Sequence, residues 1–153
     1  MMYNTKVYII LISFFLSTLF SCTPNSCQDA TLSTVKAGFY ETGTGKVLTA
    51  DSVTLYGVGM DSSKIYDKAL NVQTISFPLN ASSDTSVLIL RINGKNDTVT
   101  LVYTSYPHLV SKECGFTFFH ILDTVYNTRS EIDFLKKNQN ITTVNEENIR
   151  IFY

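Results

Sequence analysis

Cys22 carries the clearest chemical signal in the 153-residue sequence. It follows Leu19-Phe20-Ser21 at the end of the apolar stretch Val7 to Phe20, and Lys6 supplies a positive charge before that stretch. A positive charge, an apolar stretch and a small residue before a cysteine are typical of a lipoprotein signal, in which the leading segment is removed and the cysteine receives a lipid. The sequence therefore predicts a signal peptide at residues 1–21 and lipidation of Cys22.

The apolar stretch is shorter than a membrane-spanning helix. Such a helix needs about 20 apolar residues, and Val7–Phe20 does not reach that length. It is also interrupted by Ser13, Ser17 and Thr18. An uncleaved anchor helix is the alternative, but the length favours a signal peptide. Two or more acyl chains on one residue hold a protein stably, because each buried CH2 contributes about 0.8 kcal/mol. We therefore expect a soluble domain held at a membrane surface by its lipid.

The two remaining cysteines, Cys27 and Cys114, are expected to form a disulfide. Pairing is the simplest outcome for two cysteines in an exported domain. In the chain-entropy model, closing the loop between them stabilises the fold by up to about 4–5 kcal/mol. The alternatives are two buried free thiols or a redox site, although no Cys-x-x-Cys spacing supports a redox site. A disulfide would fix the start of the domain to its body.

Few residues are of types that catalyse reactions or bind metals. His120 shares a predicted strand face with Phe116 and Phe118, which favours a buried, hydrogen-bonded histidine over a metal ligand or a base. His108 follows Pro107 in a predicted loop, where a single histidine is usually solvated. The sequence has no zinc-ligand spacing, no EF-hand loop and no Gly-x-Ser-x-Gly nucleophile motif. We expect no metal, no cofactor and no enzymatic activity.

Charge excludes a nucleic-acid-binding protein. The chain has 12 Lys and Arg against 13 Asp and Glu, so loss of Lys6 with the signal peptide leaves it weakly acidic. Neither charge sign forms a long block. Nucleic-acid binding requires a cluster of basic residues, and the sequence has none. The remaining length is that of one domain with a hydrophobic core.

Alternation of apolar and polar residues predicts β-strands after a polar tether at residues 22–30. The predicted strands are residues 34–40, 52–60, 73–77, 86–92, 98–103, 115–122 and 148–153. Asn93-Gly94 is typical of a tight hairpin turn, although the following Asn96-Asp97 leaves the turn register open. Ser130–Lys137 fits either a capped helix or a strand, and we favour the strand. The pattern predicts one antiparallel, immunoglobulin-like β-sandwich of seven or eight strands at residues 31–153.

Five short segments in this order resemble a known family over nearly the whole chain after residue 21. They are Cys27, Asp51–Gly59, Phe77–Asn80, Lys112–Phe116 and Asn145–Ile149. With these segments the sequence resembles an uncharacterised family of small Bacteroidota lipoproteins, classed as a domain of unknown function. The resemblance implies an all-β domain in the cell envelope and supplies no activity.

The same resemblance bears on location and modification. In lipoproteins of that phylum, acidic residues just after the lipidated cysteine accompany export to the cell surface, and Thr23–Ser26 contains none. We therefore expect the outer membrane, facing the periplasm. Three Asp-Ser/Thr-Val tripeptides resemble an acceptor pattern for O-glycosylation in that phylum. A turn aspartate before β-branched strand residues produces the same tripeptide, so a purely structural origin stays open. The acceptor residues are Ser52, Thr98 and Thr124.

These observations predict a lipid-anchored envelope protein that binds another envelope protein or assists assembly. Surface tyrosines would form the partner site. A glycan-binding module is the alternative, although the chain has no Trp to stack on sugars. An envelope hydrolase is a further alternative, with Glu113, His108 and His120 as candidate catalytic residues.

Overall fold

The computed structural model describes residues 27–128 and 132–153. These residues form ten β-strands and no helix, and so none of them belongs to a helix able to span a membrane. The predicted signal peptide and Cys22 lie outside the described residues. The strands are β1 (Val35–Tyr40), β2 (Ala50–Gly57), β3 (Tyr66–Val72), β4 (Thr74–Phe77), β5 (Thr85–Ile92), β6 (Lys95–Ser111), β7 (Gly115–Asn127), β8 (Asp133–Lys136), β9 (Asn140–Ile141) and β10 (Ile149–Phe152).

The strands form two sheets that pack face to face around one hydrophobic core. One sheet has the order β4-β1-β10-β8 and the other the order β3-β2-β5-β6-β7-β9. The pair β1–β10 is parallel, and the other pairs are antiparallel. Phe39 and Ile151 of the first sheet meet Leu55, Leu90 and Leu101 of the second in this core. The cavity between the sheets measures about 10 Å³, too small for a ligand. The predicted all-β sandwich is confirmed.

The hairpin predicted at Asn93-Gly94 is a two-residue turn between β5 and β6. Ile92 pairs with Lys95 across it, and φ is 49° at Asn93 and 88° at Gly94. Asparagine and glycine tolerate this left-handed backbone better than other residues do. Asp97, whose register was left open, lies within the ladder opposite Leu90.

Two strands are additional to the predicted set. β3 lacks alternation, and Lys68 and Asn71 within it have positive φ values of 49° and 55°. β9 has only two residues, too few for a periodic signal. β8 falls within the ambiguous Ser130–Lys137 and confirms a strand over its described part.

The predictions for β6 and β7 are too short. β6 passes Tyr103 and continues through Pro107 and His108 to Ser111, so the prediction of a loop at His108 is wrong. β6 pairs with β5 only as far as Val102, and a proline is tolerated where a strand has a free edge. Beyond this point β6 and β7 continue as a hairpin, residues 104–121, which we call the arm; β9 pairs with it only at its base, at His120 and Ile121.

Candidate functional site

The arm has two faces with different side chains. In an antiparallel pair, residues opposite each other share a face. Leu109 pairs with Phe116 and Pro107 pairs with Phe118; these four residues form what we call the tip face. The opposite face, which continues the outer surface of the six-stranded sheet, carries the pairs Tyr106–Phe119 and His108–Thr117.

The tip face continues the core-facing side of the sheet beyond the core. Along alternate residues of β7 the exposed fraction rises from 0% at Leu122 and 2% at His120 to 47% at Phe118 and 73% at Phe116. Exposed apolar side chains grouped on one face mark a contact site. The sequence predicted that these residues share a face, but alternation alone does not tell where that face leaves the core.

The N-terminal segment attaches to the arm along β7. Cys27 is disulfide-bonded to Cys114, with 4.7 Å between the two Cα atoms, in agreement with the expected pairing. Thr117 Oγ1 donates a hydrogen bond to the carbonyl oxygen of Thr31, and Ser33 Oγ donates one to that of Phe118. The segment therefore runs from the tip of the arm towards the sandwich. The disulfide fixes the start of the domain to the tip of the arm, not to the sandwich body.

His120 is a buried, hydrogen-bonded histidine, as expected from its position among apolar residues. A hydrogen bond of 2.8 Å joins its Nδ1 to Ser105 Oγ. Its ring also makes an edge contact with Tyr103, at 5.5 Å between the ring centres. Burial lowers the pKa of His120 below its ordinary value of 6.5.

The low pKa of His120 predicts a loss of stability in mild acid. Below pH 6.5 the unfolded chain takes up a proton that the folded chain resists, so the free energy of unfolding decreases as the pH falls. We expect a His120→Gln variant to lose part of this dependence between pH 7 and pH 5.5, measured as the shift in the urea midpoint. His108→Gln is the control, because His108 is exposed, and its urea midpoint should shift with pH as in the wild type. An equal shift of the urea midpoint in all three proteins would contradict the prediction.

His108 lines an open cleft on the opposite side of the arm. Its ring stacks on Phe119 at 4.1 Å between ring centres. Asp29 and Thr143 also line the cleft, which has a volume of about 310 Å³. Glu113 does not line it.

The candidate hydrolase residues do not converge. His120 shares a face with its ladder partner Ser105. Ser105 and His108 are an odd number of positions apart on β6, so their side chains point to opposite faces. His108 and His120 therefore lie on opposite faces of the arm. Within residues 27–128 and 132–153, no three His, Cys, Asp or Glu side chains are placed to hold a metal ion. The structure therefore offers no catalytic constellation built from the residues that the sequence singled out.

Exposed apolar side chains also group on the outer side of the six-stranded sheet. Val87 on β5 and Tyr126 on β7 are the two ladder partners of Thr100 on β6. Further along, Ile121 and Tyr106 lie on the same side. We call Val87, Tyr106, Ile121 and Tyr126 the outer patch. More than a third of each side chain is exposed, and Tyr126 reaches 52%. The tyrosines in the patch are of the residue type that often dominates protein interfaces.

The three candidate glycosylation residues share this outer side of the sheet. Thr98 pairs with Ile89, and Thr124 pairs with Val102, both of which point away from the core. Ser52 is on β2, directly before the core-facing Val53. Ser52 and Thr98 are half-buried, whereas Thr124 is exposed.

Exposure predicts Thr124 as the acceptor if the protein is glycosylated. An enzyme must reach the hydroxyl group, and Thr124 offers it on an exposed strand. We expect the intact mass of the native protein to exceed that of the lipidated polypeptide, and Thr124→Val to remove the excess. Thr98→Val is the matched control and should leave it unchanged. A native mass equal to the lipidated polypeptide alone would contradict the prediction.

The fold defines the protein as a two-sheet β-sandwich with a long, disulfide-fixed hairpin arm. The chain belongs to a family of unknown function (DUF6452), which it matches over residues 52–153. The match begins in β2 and includes both strands of the arm and Cys114, but not Cys27. No curated protein matches the chain, and no solved structure matches it.

Proposed function

We propose that this protein is a non-enzymatic, lipid-anchored component of the cell envelope that binds another envelope protein through the outer patch. The lipid is on Cys22, and the domain faces the periplasm from the outer membrane. The outer patch is the observation that carries the proposal, because Val87, Tyr106, Ile121 and Tyr126 expose apolar side chains on one side of the same sheet. The lipid signal in the sequence supports the location.

The test is a crosslinking pull-down from intact cells with the full, tagged chain. We expect one reproducible envelope partner, and its recovery should fall strongly when Tyr106 and Tyr126 are both changed to serine. Leu135→Ser is the matched control, since Leu135 is 51% exposed but lies on the outer side of the other sheet, where it pairs with Arg150. Equal recovery with both variants would contradict the role of the outer patch.

A glycan-binding module is the second candidate, favoured by the cleft beside His108. Asp29 and Thr143 place polar groups in this cleft, as sugar binding requires. However, Phe119 is only 9% exposed beneath His108, and so its ring offers little surface for stacking. If this candidate holds, His108→Ala will abolish retention on envelope glycans, whereas the serine variants of the outer patch will not.

A further inference from the structure

We propose that the tip face of the arm inserts its apolar side chains into the surface of the membrane that carries the lipid anchor. The inference rests on the lipidation of Cys22 in the proposed function. It adds a second membrane contact and an orientation for the domain. The membrane-contacting residues are Pro107, Leu109, Phe116 and Phe118.

Chain length places the tip of the arm near the anchor. Cys27 is five positions after Cys22, and a fully extended chain covers about 3.5 Å per residue. Cys27 therefore lies within about 18 Å of the lipidated residue. Because the Cα of Cys114 lies 4.7 Å from that of the bonded Cys27, the turn of the arm is held within about 22 Å of the lipidated residue. The rest of the N-terminal segment leads away from the tip, along β7 past Thr31 and Ser33.

The side chains at the tip suit a lipid surface. Phe116 is 73% exposed, Leu109 49% and Phe118 47%, and all three lie on one face. Aromatic and leucine side chains are those that interfacial segments bury at the boundary between headgroups and acyl chains. Lys112 and Glu113 in the turn carry opposite charges. The contact is therefore apolar and should depend little on salt or on anionic lipid.

The absence of tryptophan from the chain allows a direct test with single-tryptophan variants. The lipidated full-length protein would be reconstituted into phosphatidylcholine vesicles with bromine on the acyl chains, which quenches tryptophan fluorescence on contact. Phe116→Trp reports on the tip, and Leu109→Trp repeats the measurement from the paired strand. Leu70→Trp is the matched control, because Leu70 is 71% exposed. It pairs with Ser52, at the end of the six-stranded sheet away from the arm.

We expect Phe116→Trp and Leu109→Trp to be quenched several-fold more than Leu70→Trp, with a blue shift of their emission. Quenching should be stronger for bromines near the headgroup than near the chain end, because interfacial side chains reach only about 5–10 Å into the boundary.

Flotation of the vesicles reports separately on the anchor. If the protein floats and both tip variants are quenched no more than Leu70→Trp, the membrane contact is overturned and the anchor stands. If the protein does not float, the anchor and the membrane contact are both overturned. Protection of the tip by a crosslinked protein in cells, without quenching in vesicles, would assign the tip face to a protein partner instead.

Discussion

Replacing Cys27 and Cys114 together by serine is expected to lower the free energy of unfolding by about 4 kcal/mol. The disulfide joins residues 87 positions apart, and so its loss releases a long loop in the unfolded chain. It also frees the N-terminal segment from the tip of the arm, where few other contacts hold it. Urea unfolding of the full chain at pH 7 measures the change, and 4 kcal/mol is a large fraction of the stability of a domain of this size.

Reductant provides the control for this variant. Wild-type protein in dithiothreitol should unfold at nearly the same urea concentration as the double serine variant, and reductant should not affect the variant further. Hydrogen exchange should also rise along β7 next to Thr31 and Ser33, whose bonds to the arm depend on the anchored segment. An unchanged urea midpoint in the double variant would contradict the prediction.

Asp97→Ala is expected to lower the free energy of unfolding by about 3 kcal/mol. The side chain is 1% exposed. Its Oδ1 accepts hydrogen bonds from the backbone N–H groups of Thr98 and Thr128, and its Oδ2 accepts one from Asn127 Nδ2. Removing the carboxylate takes an acceptor away from three partly buried donors, which costs more than the loss of the bonds alone.

Asp123→Ala is the matched control for Asp97→Ala. Asp123 precedes Thr124-Val125 as Asp97 precedes Thr98-Val99, but it is exposed. Its change should therefore alter the unfolding free energy by no more than about 0.5 kcal/mol. Equal destabilisation by the two variants would mean that burial of Asp97 is not the cause. At Asp97 the aspartate of the repeated tripeptide therefore has a structural role that does not depend on glycosylation.

The sequence predicted the strands in which several residues face the core. Val87 to Ile92 is apolar on both faces, which predicts a central strand, and β5 does lie between β2 and β6; the Asn93-Gly94 turn indicated its partner. β3 had no such signal, because it lies at the edge of its sheet and its residues are mostly exposed. Lys68 and Asn71 within it have positive φ values, which an alternating strand pattern does not indicate.

The candidate site was harder to predict than the fold. The alternation from Phe116 to Leu122 was visible, but an apolar face looks the same in sequence whether a second sheet covers it or not. Pro107 obscured the continuation of β6, although a proline in a strand with a free edge was a usable signal. The outer patch depends on pairing across strands, because Val87 and Tyr126 are far apart in sequence and are brought together only by pairing with Thr100 on the strand between them.

The disulfide between Cys27 and Cys114 also determines how the domain would respond to mechanical force. A pull on the proposed membrane anchor at Cys22 would reach Cys27 and then cross the disulfide directly to Cys114. The residues between the two cysteines lie inside a closed covalent loop, so about 300 Å of extended chain cannot be drawn out. Force instead loads the arm from its tip and passes through β7 into the sandwich. The domain would thus resist extension over β1 to β6, all of which lie inside this loop.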